Sequence, residues 1–163
     1  MTFCGFPVTI NGRLSVNIGL RNSNWFNDNQ TVVNGWNNLP SGLDLTGLPT
    51  KICSGISFTN CGLSSIKGMP ALKSDSADSV RGVDIDFGSN KLRNLDGINL
   101  SGNPKINRFI VDDNMLESLS GSPERINGNC DVSNNCLTLL VGMPKYIGGD
   151  FNCYNNFLKK STV

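Results

Sequence analysis

The sequence predicts a solenoid of short parallel β-strands stacked rung upon rung, joined by extended return segments with little helix. One observation is repetition. Between Leu45 and Leu158 a single phrase recurs five times: a Leu or Ile, Gly-x-Pro, an aliphatic residue, two alternating apolar positions and Asn-x-Leu. A second is constancy of register. Leu137 and Leu158, which close the last two phrases, stand 21 residues apart, and the same interval separates Gly47 from Gly68, Pro49 from Pro70, Gly121 from Gly142 and Pro123 from Pro144. The third is length: a unit this short cannot bury its own apolar side and must stack on its neighbours to build a continuous core.

Residues 1–45 are different material and are expected to form a β-rich, aromatic N-terminal cap. Phe6, Val8 and Ile10 alternate, as do Leu14, Val16, Ile18 and Leu20, with Asn11 and Gly12 between the runs, which is the pattern of a β-hairpin. A three-residue loop through Arg13 pairs Ile10 with Leu14 and Val8 with Val16, and so keeps one apolar face. Thr31 to Leu45 reads as a degenerate first repeat, because Asn37 and Leu39 match Asn-x-Leu. Trp25, Phe26 and Trp36 either fill this cap, as the end of a solenoid requires, or form an exposed docking patch.

Residues 46–163 are expected to form the solenoid itself, about five repeats within one structural domain. Its phrases close on Leu63, Leu92, Leu116, Leu137 and Leu158. Seven and five residues earlier stand Ile56 and Phe58, Ile85 and Phe87, Phe109 and Val111, Cys130 and Val132, Phe151 and Cys153, all apolar and spaced as the inward pair of a strand. Two residues before each closing Leu come Cys61, Asn90, Asn114, Asn135 and Asn156, where an amide can bond the backbone of the turn leaving the strand. Stacked copies predict an asparagine column. The prolines fix the return segment as extended backbone, and the Gly two residues before each allows a sharp corner. Two phrases are longer. Ala71 to Arg81 carries the first surplus and reads as one or two helical turns, and Asn99 replaces the expected Pro in the second.

The slots read L-x-L-x-x-N/C-x-L, and on them the chain resembles the leucine-rich repeats, specifically the short bacterial type with a Pro-containing outer segment. Gly142 to Leu158 is still more similar to the G-x-P-x-x-I-G-G-D-F-x-C-x-N-N-x-L repeats of bacteriophage-encoded proteins. The resemblance covers roughly the last two thirds of the chain. It implies a right-handed ladder with its strands on a concave face, and a viral protein that binds a host or viral protein in the host-cell cytoplasm. A virion component of capsid or tail is the alternative setting.

Composition fits a polar-faced solenoid, with 38% hydrophobic residues and a formal charge of +1. That balance gives no reason to expect nucleic acid or an acidic membrane as partner, and no apolar run approaches a membrane span. Met-Thr-Phe-Cys-Gly-Phe-Pro lacks a basic segment followed by a long apolar stretch, so a cleaved secretory signal is not expected. The six cysteines are explained by the repeat and expected to be reduced. With no histidine and no C-x-x-C pair, no zinc site is expected, and no D-x-D-x-D-G loop supports calcium; the reading is of no metal and no cofactor.

Any chemistry should lie on the strand face that points away from the core. Its columns run Gly55, Asp84, Arg108, Asn129, Asp150; then Ser57, Asp86, Ile110, Asp131, Asn152; then Thr59, Gly88, Asp112, Ser133, Tyr154. Five of the chain's thirteen acidic residues share this face with Arg108 alone among fourteen basic ones. The expected role is binding of a basic protein partner through Asp84, Asp86, Arg108, Ile110, Asp112, Asp131, Asp150 and Tyr154. An enzyme is not expected, since no activated nucleophile stands out. Asp86 and Asp131, two rungs or roughly 9 to 10 Å apart, keep a β-helix-like glycosidase or a carbohydrate-binding adhesin as further alternatives.

Overall fold

In the computed structural model, residues 9–10, 13–17, 30–32, 45, 51–53, 55–73 and 82–159 are described. The strands are, in chain order, β1 (Thr9–Ile10), β2 (Arg13–Asn17), β3 (Gln30–Val32), β4 (Lys51–Cys53), β5 (Gly55–Thr59), β6 (Ala71–Lys73) and β7 (Val83–Asp86). There follow β8 (Ile106–Ile110), β9 (Arg125–Ile126), β10 (Cys130–Asp131), β11 (Tyr146–Ile147) and β12 (Phe151–Asn152). No described residue is helical. Every pairing among the described strands is parallel, which makes the molecule a parallel-strand β-solenoid. The main ladder runs β3-β2-β5-β7-β8 and continues through β10 to β12. β9 and β11 extend a side ladder from the start of β8, and β1, β4 and β6 form a separate sheet.

The core is the set of inward positions that the repeat defines. Ile56, Phe58, Ile85, Phe87, Phe109, Val111 and Val132 are fully buried, as are Leu63, Leu92, Leu116 and Leu137, while Cys130 is almost so. Ile66, Leu95 and Leu119 close the core from the return side, with Pro70, Pro123 and Pro144 buried beside it.

Two recurrent backbone devices turn the chain at each rung. Asn60, Ser89, Asp113, Asn134 and Asn155, three residues before each closing Leu, all have φ between 51° and 55°, the left-handed region that Asn and Asp tolerate best. On the return side the amides of Met69, Ile98, Ser122 and Met143 bond the carbonyls three residues earlier, with Gly68, Gly97, Gly121 and Gly142 at positive φ as third residue of the turn. That is the type II pattern, which admits little but glycine at this place.

Between these turns the asparagine column forms. Asn114 Oδ1 accepts the Leu92 amide at 2.9 Å, and its Nδ2 donates to the carbonyls of Phe87, Val111 and Asp112. Asn90, Asn135 and Asn156 repeat the arrangement, each tying its own turn to the preceding phrase. Cys61, in the same slot, donates its Sγ to the Thr59 carbonyl at 3.4 Å.

Two expectations are corrected. The strands flanking Asn11 and Gly12 are not an antiparallel hairpin: β1 pairs with β4, and β2 pairs with β3 and β5, all in parallel. A hairpin would satisfy one edge of each strand, whereas β2 laid on β5 continues the ladder's own hydrogen bonds and registers Leu14 with Ile56 and Val16 with Phe58. Ala71–Lys73 is strand rather than helix, because it stacks on β4 and buries Leu72 completely; residues 74–81 lie outside the described set. In the expected first repeat, Thr31 and Val32 belong to β3, which lies beyond β2 rather than beside β5. Asn37, Leu39, Trp25, Phe26 and Trp36 lie outside the described residues.

The C-terminal end of the ladder differs from the rest. The exposed large hydrophobic residues among those described are Leu139, Val141, Met143, Tyr146, Tyr154, Phe157 and Leu158, all in the last two phrases. Phe151, Cys153 and Ile147 are only partly buried there.

Candidate functional site

Five strands position the face. The register sets Gly55 against Asp84, Asp84 against Arg108, Ser57 against Asp86, Asp86 against Ile110, Ile110 against Asp131 and Asp131 against Asn152. The columns read from the sequence are therefore columns in space. Asp86 and Asp131 lie on the same side, two rungs apart, with half-buried Ile110 between them.

Accessibility along the face is graded. Ser57 and Thr59 are buried and their hydroxyls lie 3.3 Å apart, so the β5 end offers little to a partner. Asp84, Asp86, Arg108, Ile110, Asp112 and Asp131 are half-buried, and Asp150, Asn152 and Tyr154 are exposed. The usable face runs from β7 to β12.

Its charges are tied into the framework to different degrees. Arg108 Nη2 donates to Asp84 Oδ2 at 2.8 Å, and Asn107 Nδ2 donates to Asp84 Oδ1 at 2.9 Å. The bond to Asp84 raises the Arg108 pKa above its ordinary value, against the opposing effect of burial, with smaller raising effects from the charges of Asp84 and Asp86. Asp84 and Arg108 thus largely neutralise each other. Asp86 Oδ1 accepts the Gly88 amide and Asp131 Oδ1 accepts both the amide and the hydroxyl of Ser133. Asn152 Oδ1 takes the Tyr154 amide in the same way, and its Nδ2 donates to Asp131 Oδ2 at 3.1 Å. These Asx-type bonds fix the carboxylates without neutralising them. A side chain at Gly88 would run into the Asp112 carboxylate, so that acid lies across the backbone of β7's turn.

Asn107 was not singled out by the sequence pattern. It is the extra residue of an irregularity in which Val83 pairs with Ile106 but Asp84 with Arg108. The bulge re-aims the strand so that Asn107 and Arg108 both reach Asp84. The recurrent Asp or Asn two residues before the left-handed position was a readable signal for the Asx bonds. Outside the face, Arg125 stacks over the Tyr146 ring at 3.7 Å from its centroid, with nothing in the repeat to announce it.

Chemically the face presents acceptor oxygens, one guanidinium already engaged, one aliphatic surface at Ile110 and one exposed phenol. Cys130, beside Asp131 in β10, is buried in the core, and burial pushes its pKa up to about 12, with a smaller raising effect from Asp131. Cys61, Cys130, Cys136 and Cys153 are free thiols. Among the described residues no three His, Cys, Asp or Glu side chains gather as a metal site, and no helix is long and apolar enough to cross a membrane. Comparison of the chain with protein-family models, with curated proteins and with solved structures finds no match.

Proposed function

We propose that this chain is a right-handed leucine-rich-repeat module that acts without catalysis, by binding a basic protein through the strand face from β7 to β12. The observation that carries this reading is the alignment of Asp86, Ile110 and Asp131 on one open side, with Asp112 and Asp150 flanking and only Arg108 opposing them. Pre-oriented carboxylates around an apolar centre suit recognition of Lys or Arg side chains: Coulomb attraction steers the encounter, and Ile110 supplies surface that leaves water on binding. The asparagine column and the rung length support the leucine-rich assignment. The likeness of the repeats to phage-encoded ones supports an infected-cell setting, with a virion component as the alternative.

The test is affinity capture from host lysate with the full chain, followed by titration of the recovered protein. Asp86→Lys with Asp131→Lys is expected to leave folding intact and weaken binding at least about a hundredfold, since both anchors change sign. Asp86→Asn with Asp131→Asn keeps the Asx bonds and isolates the charge effect. Unchanged affinity in the Lys pair would remove the strand face as the site. Stoichiometric recovery from purified particles by mass spectrometry would instead favour the virion setting. One observation favours a glycan-binding reading, the 77% exposed Tyr154 beside Asn152 and Asp131. Loss of glycan-array binding on Tyr154→Ala would distinguish it.

A further inference from the structure

Among the described residues, the last rung of the ladder, β12, is paired along one edge only. Among the described strands, β12 pairs with β10 alone, and β11 with β9 alone. On earlier rungs the amides of one alternating set reach forward: Phe109 donates to the Asn129 carbonyl, Val111 to Asp131, Cys130 to Asp150 and Val132 to Asn152. Phe151 and Cys153 hold those positions on the last rung. In a strand the N–H and C=O of one residue point the same way, so both groups of these two residues face away from β10, where no described strand pairs with them. The Cys153 carbonyl accepts Asn156 Nδ2, but on the preceding rung the Val132 carbonyl takes two such amides, so one acceptor site is left at Cys153.

We propose that this edge seats a second copy of the chain, with β12 pairing antiparallel to its equivalent about a two-fold axis through Asn152. An isologous contact of this kind closes on itself. The axis position follows from the hydrogen-bonding groups. Centred on Asn152, it sets Phe151 opposite Cys153 of the second copy, and the two outward-facing residues exchange both N–H···O bonds, twice by symmetry. Moved by one residue, it would oppose Asp150 and Asn152, whose carbonyls already serve β10 and its turn. The side chains agree with this placement. Phe151 meets the smaller Cys153 on the core side, and on the open side Asp150 meets the Tyr154 hydroxyl rather than its own symmetry mate, so no like charges face each other.

The area is also of the right order. Tyr146, Tyr154 and Phe157 are 45%, 77% and 68% exposed. At about 150 to 250 Å² for each aromatic side chain they offer roughly 300 to 450 Å². Met143 and Leu158 at the same end, with the half-buried Phe151, bring the face toward the roughly 800 Å² per partner of a standard interface.

The experiment is analytical ultracentrifugation of the full chain over a wide concentration range, with two variants. The wild type is expected to reach a dimer and no larger species. Cys153→Pro removes the outward amide and puts a ring in the edge, and is expected to raise the dissociation constant at least about tenfold with the monomer's melting temperature preserved. Asn152→Cys, treated with oxidised glutathione as the two-electron acceptor, is expected to give a covalent dimer, because facing residues at the axis lie about 4.5 Å apart between Cα atoms, within disulfide reach. Peptide mapping must place that bridge between residues 152 of two copies. Should Cys153→Pro fail to fold, this bridge decides alone. A monomer at every concentration, a ladder of species growing without limit, or a bridge mapped elsewhere would each overturn the proposal.

Discussion

Single residues carry the geometry of each rung. The left-handed position three residues before each closing Leu is filled by Asn60, Ser89, Asp113, Asn134 and Asn155, so four of five are the types that adopt this conformation at least cost. Of the asparagines that follow, Asn90, Asn114 and Asn135 are buried, and their amides replace backbone partners that a solenoid corner cannot supply. Asn114→Ala should therefore destabilise the fold by about 2 to 4 kcal/mol, because it strands the Leu92 amide and three carbonyl partners in the core. A urea midpoint close to wild type would mean that water replaces the side chain. Cys130 sets a second residue-scale effect. Its thiol stays protonated in the fold up to about pH 12, whereas an unfolded thiol ionises near 8.5 to 9. Between those values the unfolded chain holds fewer protons, so this contribution is full below about pH 8.5 and is lost as pH rises toward 12. Between about pH 8 and pH 10.5 the wild-type urea midpoint should fall more steeply than that of Cys130→Val; parallel curves would show that burial of the thiol does not set the slope.

At the scale of elements, the inward pairs, closing leucines and open-face columns were all legible, because a period of two within the strand and a recurrent phrase leave one register that turns the apolar slots toward the core. The pairing of Asp86, Ile110 and Asp131 is that register seen in space. What was not legible has a physical origin in each case. The order β3-β2-β5 departs from chain order, and alternation alone does not say whether Leu14 and Val16 pair with a neighbour in sequence or with a ladder edge remote from it. Ala71–Lys73 carries no turn or cap signal that separates strand from helix, and tertiary stacking on β4 decides it. The bulge at Asn107 adds one residue within a phrase already of irregular length, which hides it from subtraction. β8 matters most among the strands because its start pairs with β9 and its end with β10, so it joins the side ladder to the main one. Phe109, fully buried near the end of β8, should cost on the order of 3 to 5 kcal/mol when changed to Ala. A shift near zero in denaturant would place that ring outside the core and break the register.

For the whole molecule, stability should follow a chain of neighbouring rungs, each supported by the one before and the one after. The described end at β12 has support on one side only, and its side chains show the consequence: Phe109 is fully buried whereas Phe151, in the same slot, is not. Four amides provide a matched probe of this gradient. Lys91, Met115, Cys136 and Phe157 each donate to the preceding closing leucine's carbonyl, at 2.8, 2.8, 2.9 and 2.9 Å, so their local hydrogen bonds are equivalent and only their place in the stack differs. Hydrogen exchange should then protect Met115 most and Phe157 least, by an amount that reflects the opening free energy of the last rung rather than the strength of one bond. Equal protection at all four would mean that the solenoid opens as a unit and that the end is no weaker than the middle. The same measurement separates intrinsic fraying from association. If β12 pairs with a second copy, protection at Phe157 should rise with protein concentration while that at Met115 stays fixed, because binding stabilises by mass action only the unit that it covers.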